Sequence, residues 1–553
     1  MPEVTKNQQY PKTFKELLER SCALYPGRDA FRIRSGAGYQ SITFTELRED
    51  VYNLAASLES RNLNGQFIAV MGENSYQWVV AYLATVVAAA VIVPIDKELS
   101  IQEISFILKR CDAMAVFCSD DYTELADELR QQFDIDFFTI NGQNNTYTSC
   151  GQLMEEGRAI RENNPMAGQL EDDPEALSAI VFTSGTTGYG KGVMLSRRNF
   201  MSNLDSANKL IHLGERVLSV LPMHHTYEFT LDILYSIYQG LTICINNSIK
   251  YFAQNLKLFA PTDMLLVPLV AENLYSMVWQ NIRKSGKGKL LRVMIQVSNV
   301  LMKLGIDLRR QFFKPVHDAF GGSLQSLFVG GAYFNPAVAR GYHELGIKIN
   351  IGYGITECSP LVTGNITDTL RYMGSCGVAI PDVQVRIKTP NSAGEGEIEV
   401  KGDNVTSGYF KNPIATAEAF DGEWFRTGDI GRFDRNNMLF ITGRIKNLIV
   451  LKNGKNIYPE ELESLVGRLP YVKEVLVSAQ ENRAGEEFAI TAEIFPDREL
   501  AVEDKIEDVV IEIQTEIEGL NARLPYYKRI VSVRFRDKEF PKTTSKKIKR
   551  YIQ

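Results

Sequence analysis

The sequence is poor in the features that mark specialised classes of protein. Its 61 lysines and arginines are outnumbered by 67 aspartates and glutamates, a net charge of −6, which argues against a protein that binds nucleic acid through a large basic surface. The seven cysteines among 553 residues are scattered and odd in number, so we expect buried, reduced thiols and no disulfide framework. Neither an internal repeat nor a low-complexity tract is evident, so nothing points to a repeat architecture.

Long hydrophobic runs are also scarce. The first 12 residues carry charge and lack an apolar stretch, so we expect no secretory signal and a cytoplasmic protein. The longest apolar run, Trp78 to Ile95, has 18 residues, which is the lower limit for a membrane span. Asn74-Ser75 before this run is typical of a helix N-cap, and Pro94 ends a β-branched stretch. We therefore predict a core helix followed by a core strand here.

The remaining pattern is that of a large globular chain. Hydrophobic residues make up 44% and charged residues 23%, and the length suggests about three or four structural units. Up to about residue 355, continuous apolar runs alternate with helical stretches, as in parallel strands covered on both faces, which predicts an α/β region of two stacked sheets. From about 375 to 442, short segments between Gly, Asn and Asp turns predict an antiparallel β unit, and a smaller α+β unit follows.

Strand candidates in the first region share this apolar, β-branched character. They are 67–71, 91–93, 114–117, 180–183, 217–221, 241–245, 264–267, 327–329 and 347–351. In the last unit we predict strands near 475–479, 489–495 and 530–535, and a charged helix near 503–523.

The strongest local signal is the loop at 183–192, which reads TSGTTGYGKG and follows a strand candidate. Bare backbone amides can converge on anionic oxygens there, and Lys191 adds charge, so the loop is typical of a polyphosphate site. A Gly/Ser/Thr loop alone is more often a flexible surface linker. From Gly185 the loop also matches seven positions of a Walker A pattern, but the eighth is Gly192 where Ser or Thr should bind Mg²⁺.

Further motifs follow this loop in order. They are GGA at 330–332, YGITE at 353–357, WFRTGD at 424–429, GRIK at 443–446 and PKTTSKK at 541–547. Together with the loop they resemble the adenylate-forming superfamily, which contains acyl-CoA synthetases, firefly luciferase and peptide-synthetase adenylation domains. Within it, HHTYE at 224–228 and KNGKNIYPEELE at 452–463 look most like bacterial long-chain fatty acyl-CoA synthetases.

The resemblance implies a large N-terminal adenylation domain over residues 1–443 and a small, mobile α+β lid domain over 444–553. It also implies that a carboxylate attacks the α-phosphate of ATP, forming an acyl-adenylate and pyrophosphate, after which a thiolate takes the acyl group and AMP leaves. The first step brings two anions together, so positioned cations should supply most of the catalysis. The implied participants are ATP, Mg²⁺, coenzyme A and a carboxylic acid, most simply a medium- or long-chain fatty acid.

By the same resemblance, Lys547 bridges the carboxylate and the α-phosphate, although Lys546 stands where the family usually has glycine. Glu357 holds Mg²⁺, which prefers oxygen ligands, and Thr356 touches the α-phosphate. Lys191 covers the β- and γ-phosphates. The alternative for the terminal lysines is a solvated basic tail, and for 356–357 a capped strand-to-loop corner.

Asp429 should accept both ribose hydroxyls, with Arg444 helping at the ribose or the phosphates and Tyr353 flanking the adenine. The full set of nucleotide-binding residues that the resemblance implies is Thr183, Ser184, Gly185, Thr186, Thr187, Gly188, Lys191, Gly331, Ala332, Tyr353, Gly354, Thr356, Asp429, Arg444 and Lys547.

Three other residues match family positions of a different kind. His225 and Tyr227 follow a strand where the resemblance places the acyl pocket, although a satisfied core histidine is an equal alternative for His225. Lys446 matches the hinge about which the lid domain rotates, and its alternative is a surface lysine at the start of a strand.

The stretch 281–315 is basic and amphipathic. It holds one acid, Asp307, and nine basic residues interleaved with apolar ones. This pattern is more often a solvated helical excursion on the large domain, and the competing hypothesis is contact with an anionic membrane surface. The basic residues are 283, 284, 287, 289, 292, 303, 309, 310 and 314.

Three functions compete with a coenzyme A ligase. The acyl acceptor could be the phosphopantetheine of a carrier protein. The chain could instead be an NTPase or phosphotransferase that uses residues 185–191, in which case it would release ADP or orthophosphate and not AMP and pyrophosphate. It could also be a non-catalytic fatty-acid-binding or scaffold protein, which the intact Lys, Glu and Asp motif positions argue against.

Overall fold

The computed structural model describes residues 10–142, 146–170, 173–183, 190–367, 369–450, 456–481, 488–542 and 548–550. Within them the α-helices are α1 (Phe14–Leu24), α2 (Phe44–Ser60), α3 (Tyr76–Val87), α4 (Ile101–Cys111), α5 (Thr123–Arg130), α6 (Cys150–Asn163), α7 (Arg197–Asn208), α8 (Thr226–Glu228), α9 (Tyr235–Gln239), α10 (Phe252–Phe259), α11 (Pro268–Lys284), α12 (Gly288–Lys303), α13 (Arg309–Phe312), α14 (Lys314–Ala319), α15 (Pro336–Glu344), α16 (Pro413–Ala419), α17 (Pro459–Val466), α18 (Arg498–Glu503) and α19 (Val509–Asn521).

The strands of the described residues, in chain order, are β1 (Asp29–Ser35), β2 (Gly38–Thr43), β3 (Phe67–Met71), β4 (Val91–Pro94), β5 (Ala115–Cys118), β6 (Asp136–Thr139), β7 (Thr148–Ser149), β8 (Leu177–Thr183), β9 (Lys191–Ser196), β10 (Arg216–Ser219), β11 (Thr242–Ile245), β12 (Asp263–Leu266), β13 (Ser326–Gly330), β14 (Lys348–Gly354), β15 (Leu361–Asn365), β16 (Val378–Ala379), β17 (Gln384–Lys388), β18 (Gly396–Lys401), β19 (Phe420–Asp421), β20 (Trp424–Phe433), β21 (Leu439–Arg444), β22 (Ile449–Val450), β23 (Asn456–Ile457), β24 (Val472–Glu481), β25 (Phe488–Pro496) and β26 (Ser532–Phe535). Every strand candidate of the first region overlaps one of them.

Two large sheets form the first part of the chain, as the apolar runs predict. One has nine strands in the order β16-β15-β14-β13-β12-β10-β11-β1-β2, and the other has seven in the order β7-β6-β5-β3-β4-β8-β9. Their inner strands are parallel, and antiparallel pairs occur towards the edges at β14–β15 and β8–β9. One hydrophobic core takes side chains from both sheets, including Ile68 of the seven-stranded sheet and Ile243 of the nine-stranded sheet.

The longest apolar run is divided as predicted. Ser75 caps helix α3 by accepting a hydrogen bond from the Trp78 amide at 3.2 Å, and strand β4 begins at Val91. Both elements are buried: α3 contributes to the hydrophobic core shared by the two sheets, and β4 is an inner strand of the seven-stranded sheet. None of the helices among the described residues combines the length and apolarity that crossing a bilayer requires.

The antiparallel β unit is a five-stranded sheet of β17 to β21. The small C-terminal unit contains a three-stranded sheet in which β24 pairs antiparallel with β25 and β25 pairs parallel with β26, with α17 and α19 contributing to its core. The predicted α/β fold with a smaller α+β unit is confirmed. The predicted helix near 503–523 begins only at Val509, because Lys505 adopts a left-handed backbone (φ 59°) and Asp508 caps the helix.

All seven cysteines are free, and six of them are buried. The expectation of reduced thiols therefore agrees with the structure.

Candidate active site

Three residues from separate motifs meet at one point. The Tyr353 hydroxyl donates a hydrogen bond to Asp429 Oδ2 at 2.8 Å, and Arg444 Nε lies 2.6 Å from Asp429 Oδ1. Asp429 is only 2% exposed, and burial, followed by the charge of Asp429, raises the pKa of Tyr353 well above its ordinary value. The Asp429 carboxylate is thus held by one neutral donor, Tyr353, and one cationic donor, Arg444. Arg444 itself is exposed to solvent.

Strand pairing explains why these motifs converge. Asp429 on β20 and Arg444 on β21 are direct partners in an antiparallel ladder, so both side chains lie on the same face. Tyr353 reaches them from the end of β14. The next residue, Gly354, lies so close to the chain at Pro360 that a Cβ there would stand 2.1 Å from the Pro360 oxygen, so no other residue fits this corner.

A second group surrounds Glu357. Its Oε1 accepts a hydrogen bond from the Tyr409 hydroxyl at 3.0 Å, and Lys191 Nζ lies 4.7 Å from the centroid of the Tyr409 ring. Burial raises the pKa of Glu357 above its ordinary value, while Tyr409 and the charge of Arg444 lower it. Tyr409 therefore joins the lysine of the glycine-rich loop to the acid expected to hold Mg²⁺.

Sequence reasoning missed Tyr409, because no motif marks it. The segment around Tyr409 is hydrogen-bonded to the Glu357 turn and to strand β9. The Thr406 amide donates to the Glu357 carbonyl at 2.8 Å, and the Met194 amide of β9 donates to the Gly408 carbonyl at 3.1 Å. Val193 on β9 also pairs with Tyr409 in an isolated β-bridge. These contacts are long-range, so only the folded chain reveals them.

The ends of the glycine-rich loop are described, and its middle is not. Thr183 and Lys191 are partners in the antiparallel β8–β9 ladder, and a Cβ on Gly190 would stand 2.2 Å from the Thr183 oxygen. Ser184, Gly185, Thr186, Thr187 and Gly188 lie outside the described residues, and so does Lys547. Their roles stay predictions.

The loop after β13 approaches the same region. Gly330 is paired with Gly352 across the parallel β13–β14 ladder, and Gly331 adopts a left-handed backbone (φ 86°), which favours glycine. Gly331 and Ala332 are exposed, so this loop can contact a ligand. Thr356 begins a 3₁₀ turn directly after Tyr353 and Gly354.

An apolar pocket adjoins these strands. The pocket is narrow, with a cavity volume of only about 20 Å³. Its walls come from the neighbouring strands β12, β13, β14 and β15 of the nine-stranded sheet, from Ile211 and Leu213 after α7, and from the segment after His225. The lining residues include Tyr227, Leu231, Tyr235, Phe328, Gly352 and Leu361.

One wall of the pocket is an irregular helix. Helices α8 and α9 are joined by a π-helical stretch, Phe229–Leu234, a local feature often found at functional sites. The Tyr227 hydroxyl donates to the Phe328 carbonyl at 3.1 Å, and the Tyr235 hydroxyl donates to the Ile211 carbonyl at 2.6 Å. Both tyrosines are therefore held as part of the wall, and the role of Tyr227 in binding an acyl chain stays a prediction.

The side of this helix next to the pocket wall carries two buried acids. Glu228 and Asp232 are fully buried, and Glu228 accepts a hydrogen bond from Ser219 at 2.5 Å. Burial, followed by the charge of Asp263, raises the pKa of Asp232 to about 7, and burial and Asp232 raise that of Glu228 well above its ordinary value. Each carboxyl therefore favours its neutral, protonated form more than an exposed carboxyl does. Sequence reasoning missed this pair, since Glu228 was noticed only as part of a motif.

The remaining predicted residues lie nearby without a tested role. His225 precedes α8 and its ring lies 4.1 Å from that of His224, measured between centroids, and it is not among the residues that line the pocket. Lys446 lies in a 3₁₀ turn, Ile445–Asn447, that follows β21 and leads into the small unit. Its place between the two units agrees with a hinge, which stays a prediction.

Residues 18–410 match the family described as AMP-binding enzyme, and residues 446–552 match its C-terminal domain. The chain belongs to the AMP-binding enzyme family. The resemblance predicted from the ordered motifs is therefore confirmed, and with it the class of adenylate-forming ligase.

Named relatives agree with that class. The chain is 28% identical over 465 residues to long-chain-fatty-acid–CoA ligase FadD15 of Mycobacterium bovis, covering 79% of this chain and 75% of the relative. It is 25% identical to the chloroplastic long-chain-fatty-acid–[acyl-carrier-protein] ligase AEE15 of Arabidopsis thaliana, covering 83% and 73%. Relatives of similar identity thus differ in the acyl acceptor that their names give.

Solved structures show the same fold. Anthranilate CoA ligase AuaEII in complex with anthranoyl-AMP is similar with a TM-score of 0.77 at 19% identity, over 98% of this chain and 96% of that one. A Mycobacterium tuberculosis fatty acyl CoA synthetase is similar with a TM-score of 0.67 at 23% identity, over 97% and 96%.

Proposed function

We propose that this protein is an ATP-dependent, AMP-forming ligase that joins a medium- or long-chain fatty acid to coenzyme A through an acyl-adenylate. The observation that carries the proposal is the position of an apolar pocket beside the Tyr353–Asp429–Arg444 cluster: Gly352 lines the pocket, and Tyr353 follows it in β14. An apolar acid and a nucleotide would thus meet at one strand end. The names of the relatives support a long acyl chain.

The described residues would act by binding and orientation. Asp429 would accept the ribose hydroxyls, since its carboxylate is already held by Arg444 and Tyr353. Lys191 would neutralise the outer phosphates of ATP, and Lys547 would bring the carboxylate and the α-phosphate together. Thr356, Gly331 and Ala332 would contact the phosphate and adenine.

Glu357 suits Mg²⁺. The ion usually takes one or two protein carboxylates and completes its shell with water and phosphate oxygens, and Glu357 offers one carboxylate of raised pKa that a nearby cation would stabilise. When bound, Mg²⁺ would neutralise charge on the phosphates. Tyr409 would orient the carboxylate of Glu357 by its hydrogen bond.

The products distinguish this function from its rivals. With purified protein, Mg²⁺–ATP, coenzyme A and carboxylic acids of graded length, we expect AMP and pyrophosphate in equal amounts together with an acyl-CoA. ADP or orthophosphate as the nucleotide product would instead support an NTPase or phosphotransferase, and no nucleotide turnover with any acid would support a non-catalytic protein. Replacing coenzyme A by a carrier protein bearing phosphopantetheine tests the alternative acceptor.

We also propose that helix α12 contacts the surface of an anionic membrane, from which a long-chain acid could be taken up. One side of α12 exposes an apolar stripe at helical spacing, where the residues are 47–70% exposed: Leu290, Val293, Val297, Val300 and Leu304. The opposite side packs on the protein through Leu291 and Ser298. Lys289, Arg292 and Lys303 are exposed beside the stripe, so apolar and basic groups would face the same lipid surface.

Vesicle sedimentation tests this contact. The full chain should bind vesicles that contain phosphatidylglycerol, bind neutral vesicles less, and lose binding as salt is raised. Val293→Gln with Val297→Gln should abolish sedimentation, whereas Val531→Gln, at an exposed apolar residue of the small unit, should not. If the double variant sediments like the parent, or if it changes the oligomeric state and not lipid binding, the proposal is wrong. A cytoplasmic protein that visits the membrane would be consistent with the expected result.

A further inference from the structure

The segment that bears Lys547 leaves and re-enters the described chain at Lys542 and Ile548. These two residues face each other in an antiparallel β-bridge, and the Lys549 amide donates to the Pro541 carbonyl at 2.8 Å. Lys542 and Ile548 therefore lie side by side; residues 543–547, here called the lysine segment, connect them and lie outside the described residues. What holds those ends determines where the lysine can reach.

The first end is anchored by a lysine. Lys542 Nζ lies 2.5 Å from Glu474 Oε1 and 2.7 Å from Glu539 Oε2. The side chain of Glu474, on β24, is only 3% exposed, and its second oxygen accepts the Phe540 amide at 2.8 Å. A buried carboxylate with two such partners strongly favours one position of the chain.

The second end is anchored by an arginine. The Arg550 guanidinium forms an ion pair with Glu463 on α17 and lies 3.5 Å from Glu460 Oε1. It also donates to the Val477 carbonyl of β24 at 3.1 Å. Glu463 is held in turn, because it accepts the Val477 amide at 2.7 Å. Lys542 before the lysine segment and Arg550 after it therefore both contact the same strand, β24.

The arginine anchor is also connected to the proposed hinge. Glu460 Oε1, which faces Arg550, accepts a hydrogen bond from the Asn447 side chain at 2.5 Å. Asn447 is the residue after Lys446. One glutamate thus contacts both the end of the lysine segment and the turn that joins the two units.

We propose that Lys542 and Arg550 are positioning residues that clamp the lysine segment to β24 and α17, so that Lys547 is presented for acyl-adenylate formation. The proposal rests on the proposed function, in which Lys547 serves the first half-reaction. Because both sides of the lysine segment are fixed, Lys547 has less conformational entropy to lose when it binds the acid and the α-phosphate. The clamp should matter for adenylate formation and not for transfer of a preformed adenylate to the thiol.

The experiment measures the two half-reactions separately. Arg550→Ala and Lys542→Ala should each slow acid-dependent pyrophosphate release roughly 10- to 100-fold, as expected when a reacting group is misplaced by about 1 Å. Transfer from supplied acyl-AMP to coenzyme A should change less than about twofold in the same variants. Arg550→Lys, which keeps the charge but cannot span Glu463, Glu460 and the Val477 carbonyl, should restore adenylate formation only in part.

Controls separate positioning from folding. Arg498→Ala breaks an exposed ion pair with Asp537 in the same unit and should leave both half-reactions unchanged. Lys542→Ala and Arg550→Ala leave buried carboxylates without their partners and should lower the melting temperature, so all rates are compared well below the melting temperature of each variant. Equal loss of both half-reactions in Arg550→Ala and Lys542→Ala, or no loss in either, would overturn the clamp.

Failure of the proposed function would look different. In that case the parent chain would form no acyl-AMP with any acid. If the parent is active but Lys547→Ala and Lys546→Ala both form acyl-AMP at its rate, neither lysine serves this step, and the clamp is overturned together with that assignment.

Discussion

At the scale of single residues, the site depends on charges that are held before any ligand arrives. Asp429 is nearly buried and already has two donors, Tyr353 and Arg444. Glu357 is held by Tyr409, whose ring also lies under the Lys191 ammonium. Such prior orientation lowers the cost of ordering these side chains when ATP binds.

Asp429→Ala should mainly weaken the binding of ATP. It removes the acceptor of the ribose hydroxyls and leaves Arg444 and the Tyr353 hydroxyl without their partner, so we expect the Kd for ATP to rise at least about tenfold, a loss of roughly 1.4 kcal/mol. Calorimetric titration with ATP measures this. Asp421→Asn, which breaks an exposed pair with Lys388, is the matched control, and an unchanged Kd in Asp429→Ala would contradict the ribose assignment.

Asp232→Asn should stabilise the protein, and more so at high pH. The pKa of Asp232 is raised by burial to about 7, so the folded state binds this proton more tightly than the unfolded state, in which the carboxyl has its ordinary value. The stability that this proton provides is complete at low pH and is lost as the pH rises from about 4 to about 7. Asparagine never ionises and avoids that loss.

Urea unfolding of Asp232→Asn and of the parent at pH 5 and pH 8 tests whether the stability gain increases with pH. We expect the gain in unfolding free energy to be larger at pH 8, on the order of 1–4 kcal/mol. Asp134→Asn, at an exposed carboxyl, should show no such pH dependence. A gain that is larger at pH 5 would show that Asp232 is not held protonated.

At the scale of elements, the π-helical stretch links the buried acids to the pocket. Tyr227, Leu231 and Tyr235 line the pocket, and each is followed by a buried polar residue, Glu228, Asp232 or Ser236. The side with Tyr227, Leu231 and Tyr235 therefore faces the pocket. The side with Glu228, Asp232 and Ser236 is buried away from it, and Glu228 contacts Ser219 of the sheet. A change on the first side should alter the acid that fits, whereas a change on the second side should alter stability.

Leu231→Trp should shorten the preferred acid. Leu231 is 6% exposed and lines a narrow pocket, so the larger indole would fill space needed by a long chain. We expect kcat/KM for hexadecanoic acid to fall about tenfold or more relative to that for octanoic acid, since filling an apolar pocket costs roughly 1–3 kcal/mol. Met166→Trp, at an exposed residue, should not change the ratio, and an unchanged ratio in Leu231→Trp would mean that the acyl chain lies elsewhere.

At the scale of the whole molecule, the large and small units touch at exposed polar contacts. Arg468 of the small unit donates to the Tyr333 hydroxyl at 2.5 Å, next to the loop of Gly331 and Ala332. Arg283 at the end of α11 lies 3.5 Å from Asp504. A partly exposed ion pair such as Arg283–Asp504 contributes about 0–1 kcal/mol, so these contacts can bias the arrangement of the units without locking it.

Charge reversal across this contact should change the balance of the half-reactions. Arg283→Asp or Asp504→Arg places like charges opposite each other, and each should lower the rate of acyl-AMP formation a few-fold relative to thiol transfer, which follows from a bias of about 1 kcal/mol. The double variant restores an opposite pair and should recover most of the loss. A double variant no better than either single one would show that the contact does not bias the units.

Many of the helices and strands, and the protein family, could be predicted from local sequence. Continuous apolar runs identified nine of the sixteen strands that the described residues contribute to the two large sheets, because a strand buried on both faces must be apolar at every position. Partly exposed strands towards the edges, such as β2 and β7, lack such runs and were not predicted. Ser75 and Pro94 divided the longest run into a helix and a strand, because both residues act through the backbone of their neighbours. The ordered motifs predicted the family that residues 18–410 and 446–552 match.

The contacts across the site were decided only by the tertiary structure. Tyr409 carries no local signal, and neither does the pairing of Lys542 and Arg550 with glutamates far back in the chain. Glu228 and Asp232 are only four residues apart, but the sequence does not reveal that both are buried. A helix or strand depends on residues a few positions apart, whereas these ion pairs and hydrogen bonds depend on which distant segments the fold brings together. Burial, which sets the pKa of Asp232 and Glu357, likewise exists only once the chain is packed.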